Sequence, residues 1–264
     1  MPGQWGWSYS QLRDSWRAAD ESGFDVVGCF DHVSAAPEGR AAWDAPSLLT
    51  AMAANTSRAQ LALWVVNVSL RSPLLLAGQL AVAQAASGGR VEVGLGAGSP
   101  QLARHDHVAL GLPFPPYAER VRRVERCAVA LRALWRGETV DDDALGLVKA
   151  SLGPLGIDVP PLVIGGRGEA MMQVAARVAD GWNLEEAEPG VFASVARTVD
   201  GVAVEAGRTR PLEKSVQVFA ASVPRARMRG LVAEYAQAGA ETVMFLLDEE
   251  RSHRAVEDLA KAVL

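Results

Sequence analysis

The chain has 264 residues, 49% of them hydrophobic, with 26 Lys and Arg against 31 Asp and Glu and a formal net charge of −5. That composition supplies a core and excludes a disordered chain, and the mild acidity gives no global attraction for nucleic acid or an anionic membrane. Two cysteines, Cys29 and Cys127, build no disulfide framework, and no apolar run approaches the ~20 residues that span a bilayer, so a soluble protein of the reducing cytoplasm is expected.

In chain order, residues 1–10 carry no basic region followed by an apolar stretch, so no signal peptide is read there. A first helix is predicted over 9–22, closed by Gly23, where a left-handed residue is favoured. The apolar run 24–30 reads as a strand and ends at Asp31-His32. A helix over 45–56 opens with Pro46 in its first turn. The run 61–66 (LALWVV) is followed by Asn67. Ser72-Pro73 starts a helix over 74–86. The run 91–95 (VEVGL) leads into Gly96-Ala97-Gly98-Ser99. A helix–loop stretch holding His105 and His107 precedes a helix over 117–135. Residues 137–161, with Asp141-Asp142-Asp143 and Pro160-Pro161, break the periodicity and read as a surface excursion. A strand at 162–164 ends in Gly165-Gly166-Arg167-Gly168. Helices at 169–179, 189–206, 224–238 and 251–263 then alternate with strands at 181–184, 216–219 and 243–247.

Strands alternating with longer helices mean βα units and a parallel sheet. Continuous apolar strands fit a sheet covered on both faces. Polar and glycine residues gather where each strand ends. In a barrel these ends share one face and carry the chemistry, but an open doubly wound sheet gathers them too. This pattern alone does not choose between the two.

Four segments narrow the choice. GFDVVGCFDHV at 23–33, SGGRVEVGLGAGSP at 87–100, ALGLPFPPYAERVRRVE at 109–125 and PPLVIGGRGEAMMQVAARVADGWN at 160–183 occur in this order. Together they resemble the luciferase-like flavin and deazaflavin oxidoreductases, and most closely the branch using coenzyme F420. The resemblance implies a TIM-type (β/α)8 barrel over 1–264, usually a homodimer, with the cofactor at the C-terminal face of the strands. Helices 45–56 and 74–86 are the candidate dimer contacts. Only eight residues precede the first helix, including Pro2, Gly3 and Gly6, and seven strands are counted from Phe24 onward. The first strand is therefore expected to be a stub near 4–7, to be missing, or to lie upstream.

The same resemblance suggests site residues. Asp31-His32 would lie beside the reactive ring, with His32 contacting substrate and Asp31 orienting it. The competing reading is a loop cap beside an exposed histidine. A non-prolyl cis peptide is expected at 64–65 or 65–66, backing the ring, with Asn67 on the ring edge. Otherwise Trp64 is a buried residue of an ordinary strand. Gly165, Gly166 and Arg167 precede a helix N-terminus suited to a cofactor phosphate, or form a plain strand-to-helix turn. Gly96, Ala97, Gly98 and Ser99 would pack against the ring or its side chain. They make no dinucleotide fingerprint, because no matching acid follows. Ser99 stands where some relatives carry an acidic Glu. Trp7 and Trp43, with Trp5, would reach the pocket mouth and meet substrate, or anchor loops. Arg120, Arg122 and Arg123 read as a solvated helix face, Cys29 as a core thiol. His105-Asp106-His107 is too sparse for a metal site, and none is expected.

The leading function is a coenzyme F420-dependent oxidoreductase passing a hydride between the deazaflavin and a small organic substrate, reduction being preferred. The alternatives are an FMN-dependent luciferase-like monooxygenase and a non-catalytic cofactor-binding or partner subunit.

Overall fold

The structure, a computed structural model, describes residues 1, 5–34, 39–40, 42–247 and 252–264. Helix α1 (Tyr9–Glu21) opens with a capping box, in which Ser8 and Gln11 satisfy each other's backbone N–H groups. Strand β1 (Val26–Cys29) follows, then α2 (Ala45–Ala53), capped by Asp44 and entered through Pro46. The chain continues through β2 (Gln60–Asn67), α3 (Pro73–Ser87), β3 (Val91–Gly96), α4 (Leu102–Ala109) and α5 (Tyr117–Trp135). A hairpin, β4 (Val140–Asp142) with β5 (Leu147–Ala150), precedes β6 (Leu162–Gly165) and α6 (Glu169–Val178). Then come β7 (Gly181–Glu185), α7 (Pro189–Glu205), β8 (Glu213–Phe219), α8 (Arg225–Gln237), β9 (Thr242–Leu246) and α9 (His253–Val263).

Seven strands form one sheet in the order β1-β2-β3-β6-β7-β8-β9, every neighbouring pair parallel. The sheet curls until its two edges nearly meet. A Cβ on Gly28 of β1 would lie 3.2 Å from Met244 Cε of β9. Met1 occupies the seam. Its backbone nitrogen donates to the Phe245 carbonyl at 2.7 Å, and Leu247 N–H donates to the Met1 carbonyl at 2.9 Å. No strand precedes α1 among the described residues: 5–8 carry none, and the rest of the expected stub at 4–7, residue 4, lies outside the described residues with 2 and 3. Arg251, placed at the start of the last predicted helix, also lies outside.

Alternate residues of each strand face opposite ways. Val27, Cys29, Leu61, Leu63, Val91, Val93 and Leu95 join the helices in the main core, whereas Ala62, Trp64, Met244 and Leu246 cluster with Met1 inside the barrel. The segment 137–161, expected as a surface excursion, lies outside the seven-stranded sheet with most of its residues exposed, and some of its apolar side chains reach the core. Leu145, Leu147 and Ala150 are buried in the main core, and Leu152, Ile157 and Val159 pack against it. Its hydrophobic residues are separated by aspartates and glycines, which hide a hairpin whose strands are three and four residues long.

Candidate functional site

A cavity of about 470 Å³ opens at the C-terminal ends of the barrel strands. Its wall is built from the residues that end β1, β2, β3, β6, β7, β8 and β9, together with Trp5. Asp31, His32, Trp64, Val65, Asn67, Gly96, Ala97, Gly98, Ser99, Gly165, Gly166 and Arg167 all line it. The fold thus brings together residues spread over more than 130 positions of the chain.

Val65 forms the cavity floor. The Trp64–Val65 peptide is cis, and the β2–β3 register shifts between Leu63 and Val66. The Val65 side chain sits in a socket left by Gly94, Gly96 and Gly165, on two neighbouring strands. These glycines of β3 and β6 therefore make room for a side chain of β2. Asn67, beyond the bulge, is 5% exposed. Its Oδ1 accepts from Ser69 N–H at 3.1 Å, while Nδ2 has no hydrogen-bond partner among the described residues. A buried amide without a partner costs about 1–3 kcal/mol, so this donor suits a ligand acceptor. On the opposite wall, Gln217 Nε2 donates to Asn183 Oδ1 at 2.7 Å, and Asn183 Nδ2 donates to Ser215 Oγ at 2.9 Å.

Asp31 and His32 share no hydrogen bond, so the orienting role expected of Asp31 is corrected: it influences His32 only through its charge. Asp31 takes a two-point contact from Arg71, with Nη2 at 2.6 Å and Nε at 3.2 Å, and accepts from Asn67 N–H at 3.3 Å. Arg71 Nη1 also reaches Asp44 at 2.7 Å. One guanidinium thus ties the ends of β1 and β2 to the start of α2. Burial pushes the Asp31 carboxyl up, against the pull of Arg71. Arg71 is raised, its two carboxylates outweighing its own burial. His32 Nδ1 instead lies 2.8 Å from Asp106 Oδ2 on α4. Trp5 stacks on the His32 ring at 4.4 Å and 27°, and Phe30 meets its edge at 5.6 Å. Glu185 also lines the cavity. Surrounding protein and Glu186 push its carboxyl up, opposed by His32.

Of the tryptophans expected at the mouth, only Trp5 lines the cavity. Trp7 is 2% exposed in the main core, and Trp43 donates its indole N–H to the Trp7 carbonyl at 2.8 Å. Trp7 and Trp43, expected to meet substrate, thus lie outside the cavity lining and hold each other in place, and Trp5 is the one of the three that faces the cavity. Arg120 also departs from the solvated face expected of it. It is buried, stacks on Phe114, and donates to the carbonyls of Ala97 and Gly98, holding the loop after β3. Arg123 donates to the Val68 carbonyl at 3.0 Å, while Arg122 is exposed. Cys29 is buried, with its thiol pushed upward by burial, as a core residue would be.

Gly165-Gly166-Arg167-Gly168 turns from β6 into α6. Gly166 has φ +142°, no side chain caps the helix, and Arg167 is exposed, with Nη2 donating to the Glu186 carbonyl at 3.2 Å. An uncapped helix N-terminus beside a guanidinium can hold an anion. Among the described residues no group of three or more His, Cys, Asp or Glu is placed to hold a metal, and no helix is long and apolar enough to cross a membrane.

A parallel barrel with its cavity at the strand ends is the TIM-type architecture. The chain belongs to the luciferase-like monooxygenase family, whose sequence profile matches residues 2–261. The F420-dependent glucose-6-phosphate dehydrogenase of Nakamurella multipartita is 32% identical over 179 residues, 66% of this chain and 51% of that protein. The chain thus spans about half the length of the curated relatives it matches. In fold it is similar to the coenzyme F420-dependent tetrahydromethanopterin reductase of Methanopyrus kandleri, with a TM-score of 0.80 at 16% identity over 100% of this chain and 97% of that one. It is also similar to the oxygenating constituent of 3,6-diketocamphane monooxygenase of Pseudomonas putida in complex with FMN, with a TM-score of 0.69 at 15% identity, covering 98% and 94%.

Proposed function

We propose that this protein is a coenzyme F420-dependent oxidoreductase that exchanges a hydride with a small organic substrate. The observation that carries the reading is the cavity floor. The half-exposed Val65 side chain, seated in its glycine socket, offers an apolar surface flanked by the unpartnered Asn67 amide. A flat ring with polar edges fits such a floor. The 32% identity to an F420-dependent dehydrogenase supports the deazaflavin over other flat cofactors.

The cofactor, when bound, supplies the hydride chemistry. The chain's own residues position and shield. Arg167, with the N-terminus of α6, holds the phosphate. Gly96, Ala97, Gly98 and Ser99, fixed from behind by Arg120, pack against the ring side. Asn67 donates to its edge. Phe30, Phe219 and Leu246, apolar residues of the cavity lining, would exclude water from the site, and His32 would meet the substrate. Reduction is the preferred direction. Exposed Leu75 and Val82 on α3 support the homodimer expected through α2 and α3, and two free, buried cysteines suit a cytoplasmic protein.

The test is anaerobic. Reduced F420 is mixed with the protein and a panel of small carbonyl and imine compounds, and return of the oxidised deazaflavin absorbance is followed. Oxidation of the cofactor that depends on both protein and acceptor supports the reading. An FMN-dependent monooxygenase would instead consume oxygen with reduced FMN and substrate, and cofactor binding with neither activity would favour a non-catalytic subunit.

A further inference from the structure

His32 and Asp106 are 74 residues apart in sequence and meet at the cavity wall. Asp106 is 2% exposed. Its Oδ1 accepts from Ser34 Oγ at 2.6 Å, Ser34 N–H at 3.1 Å and Val33 N–H at 3.3 Å. Its Oδ2 faces His32 Nδ1 at 2.8 Å. Three donors on one oxygen describe an ionised carboxylate, and an ionised carboxylate only accepts. The bonds from His32 and Ser34 hold the Asp106 carboxyl below its usual range in spite of burial. The proton between Asp106 and the ring therefore belongs to Nδ1. Trp5 on one ring face and Phe30 at the edge oppose a ring flip that would exchange the two nitrogens.

We propose that Asp106 is a positioning residue, which fixes His32 as the Nδ1–H form and leaves Nε2 as the proton acceptor available to the cavity. A neutral ring so held takes a proton from a substrate hydroxyl. The O–H bond breaks, an Nε2–H bond forms, and the bonding pair stays on oxygen. Asp106 then faces an imidazolium, whose charge it stabilises. In the reverse direction the same nitrogen returns a proton to a carbonyl oxygen. The substrate class this serves is an alcohol and its carbonyl partner, the hydride on the carbinol carbon being exchanged with the cofactor of the proposed reading. The meaning in turnover rests on the proposed oxidoreductase reading, whereas the geometry and its test do not.

The test is nitrogen NMR on the protein with 15N-labelled histidine, without cofactor or substrate. The four histidines are His32, His105, His107 and His253, and the His32 signals are identified by their loss in His32→Gln. In alkaline buffer, the expected pattern for His32 is a protonated Nδ1 and an unprotonated Nε2. In Asp106→Asn the new amide can donate to Nδ1, so the proton moves to Nε2 and the pattern inverts. Ser34→Ala keeps the wild-type pattern. His107, whose Nδ1 lies 2.7 Å from the Ala103 carbonyl, reports that each variant is folded. A wild-type proton on Nε2, or a folded Asp106→Asn protein with the proton still on Nδ1, overturns the proposal. If Asp106→Asn does not fold, the wild-type pattern alone decides. Failure of the oxidoreductase reading shows separately, in the anaerobic assay, as no oxidation of reduced F420 that depends on both protein and acceptor.

Discussion

A Cβ on Gly96 would lie 2.5 Å from Cγ2 of Val65, closer than packed carbon atoms approach. Cβ atoms on Gly94 and Gly165 would lie 2.8 and 2.9 Å from its Cγ1. The Gly94-Leu95-Gly96 run is thus a socket for one valine, and substituting it tests the cavity floor. Gly96→Ala is expected to lose about 1–3 kcal/mol, the usual cost of overpacking, and to weaken cofactor binding. Val65→Ala in the same chain is expected to recover part of both. Urea unfolding and cofactor titration of the two single variants and the double variant check this.

Arg71 is the counter-charge of a buried carboxylate. Arg71→Met leaves Asp31 unpaired and is expected to destabilise by about 3–5 kcal/mol. Asp31→Asn in the Arg71→Met background removes the stranded charge and is expected to restore part of that loss. Chemical denaturation at neutral pH reads both.

Glu92 lies on β3, 6% exposed, with Oε1 lacking a hydrogen-bond partner among the described residues. Burial, with Glu213 and Asp180 adding repulsion, raises its pKa from 4.5 to about 7. The folded state therefore holds a proton that the unfolded chain has released. Stability falls as pH rises from about 4.5 to about 7, by roughly 3 kcal/mol over the window. Glu92→Gln is expected to flatten this part of the stability profile and to be more stable than the wild type above pH 7. Urea midpoints across the range measure it. A slope unchanged by the substitution would contradict the assignment.

Arg167 is expected to contribute to affinity for the cofactor phosphate more than to chemistry. Arg167→Ala should weaken binding roughly tenfold, the scale of one charge-assisted hydrogen bond. Its single-turnover rate at saturating cofactor should change little. Titration and rapid mixing separate the two.

Much of this arrangement is legible along the chain, because it depends on short-range patterns. Strands such as 61–66 announce themselves as continuous apolar runs and helices such as 117–135 by their spacing, and the ends of strands collect Asp31, His32, Asn67 and Gly96. What is not legible depends on distant partners. Nothing near His32 in sequence indicates Asp106, and the adjacent Asp31 is the obvious but wrong orienter. Arg120 reads as a surface charge until the fold places the loop carbonyls of Ala97 and Gly98 against it, and nothing near Arg71 in sequence singles it out before the fold sets the Asp31 and Asp44 carboxylates against it. The neighbouring Trp5 and Trp7 have the same chemistry, and only the path of the chain into α1 turns one toward the cavity and the other into the core. The hairpin at 140–150 escapes because its strands are too short to show alternation.

The most direct measurement of the central claim is cofactor choice. Purified protein is titrated into coenzyme F420 and, separately, into FMN, and the quenching of each cofactor's fluorescence is followed. The account predicts saturable binding of F420, tighter than that of FMN and weakened by Arg167→Ala. Binding of FMN in preference to F420, or of neither by the folded protein, would contradict it.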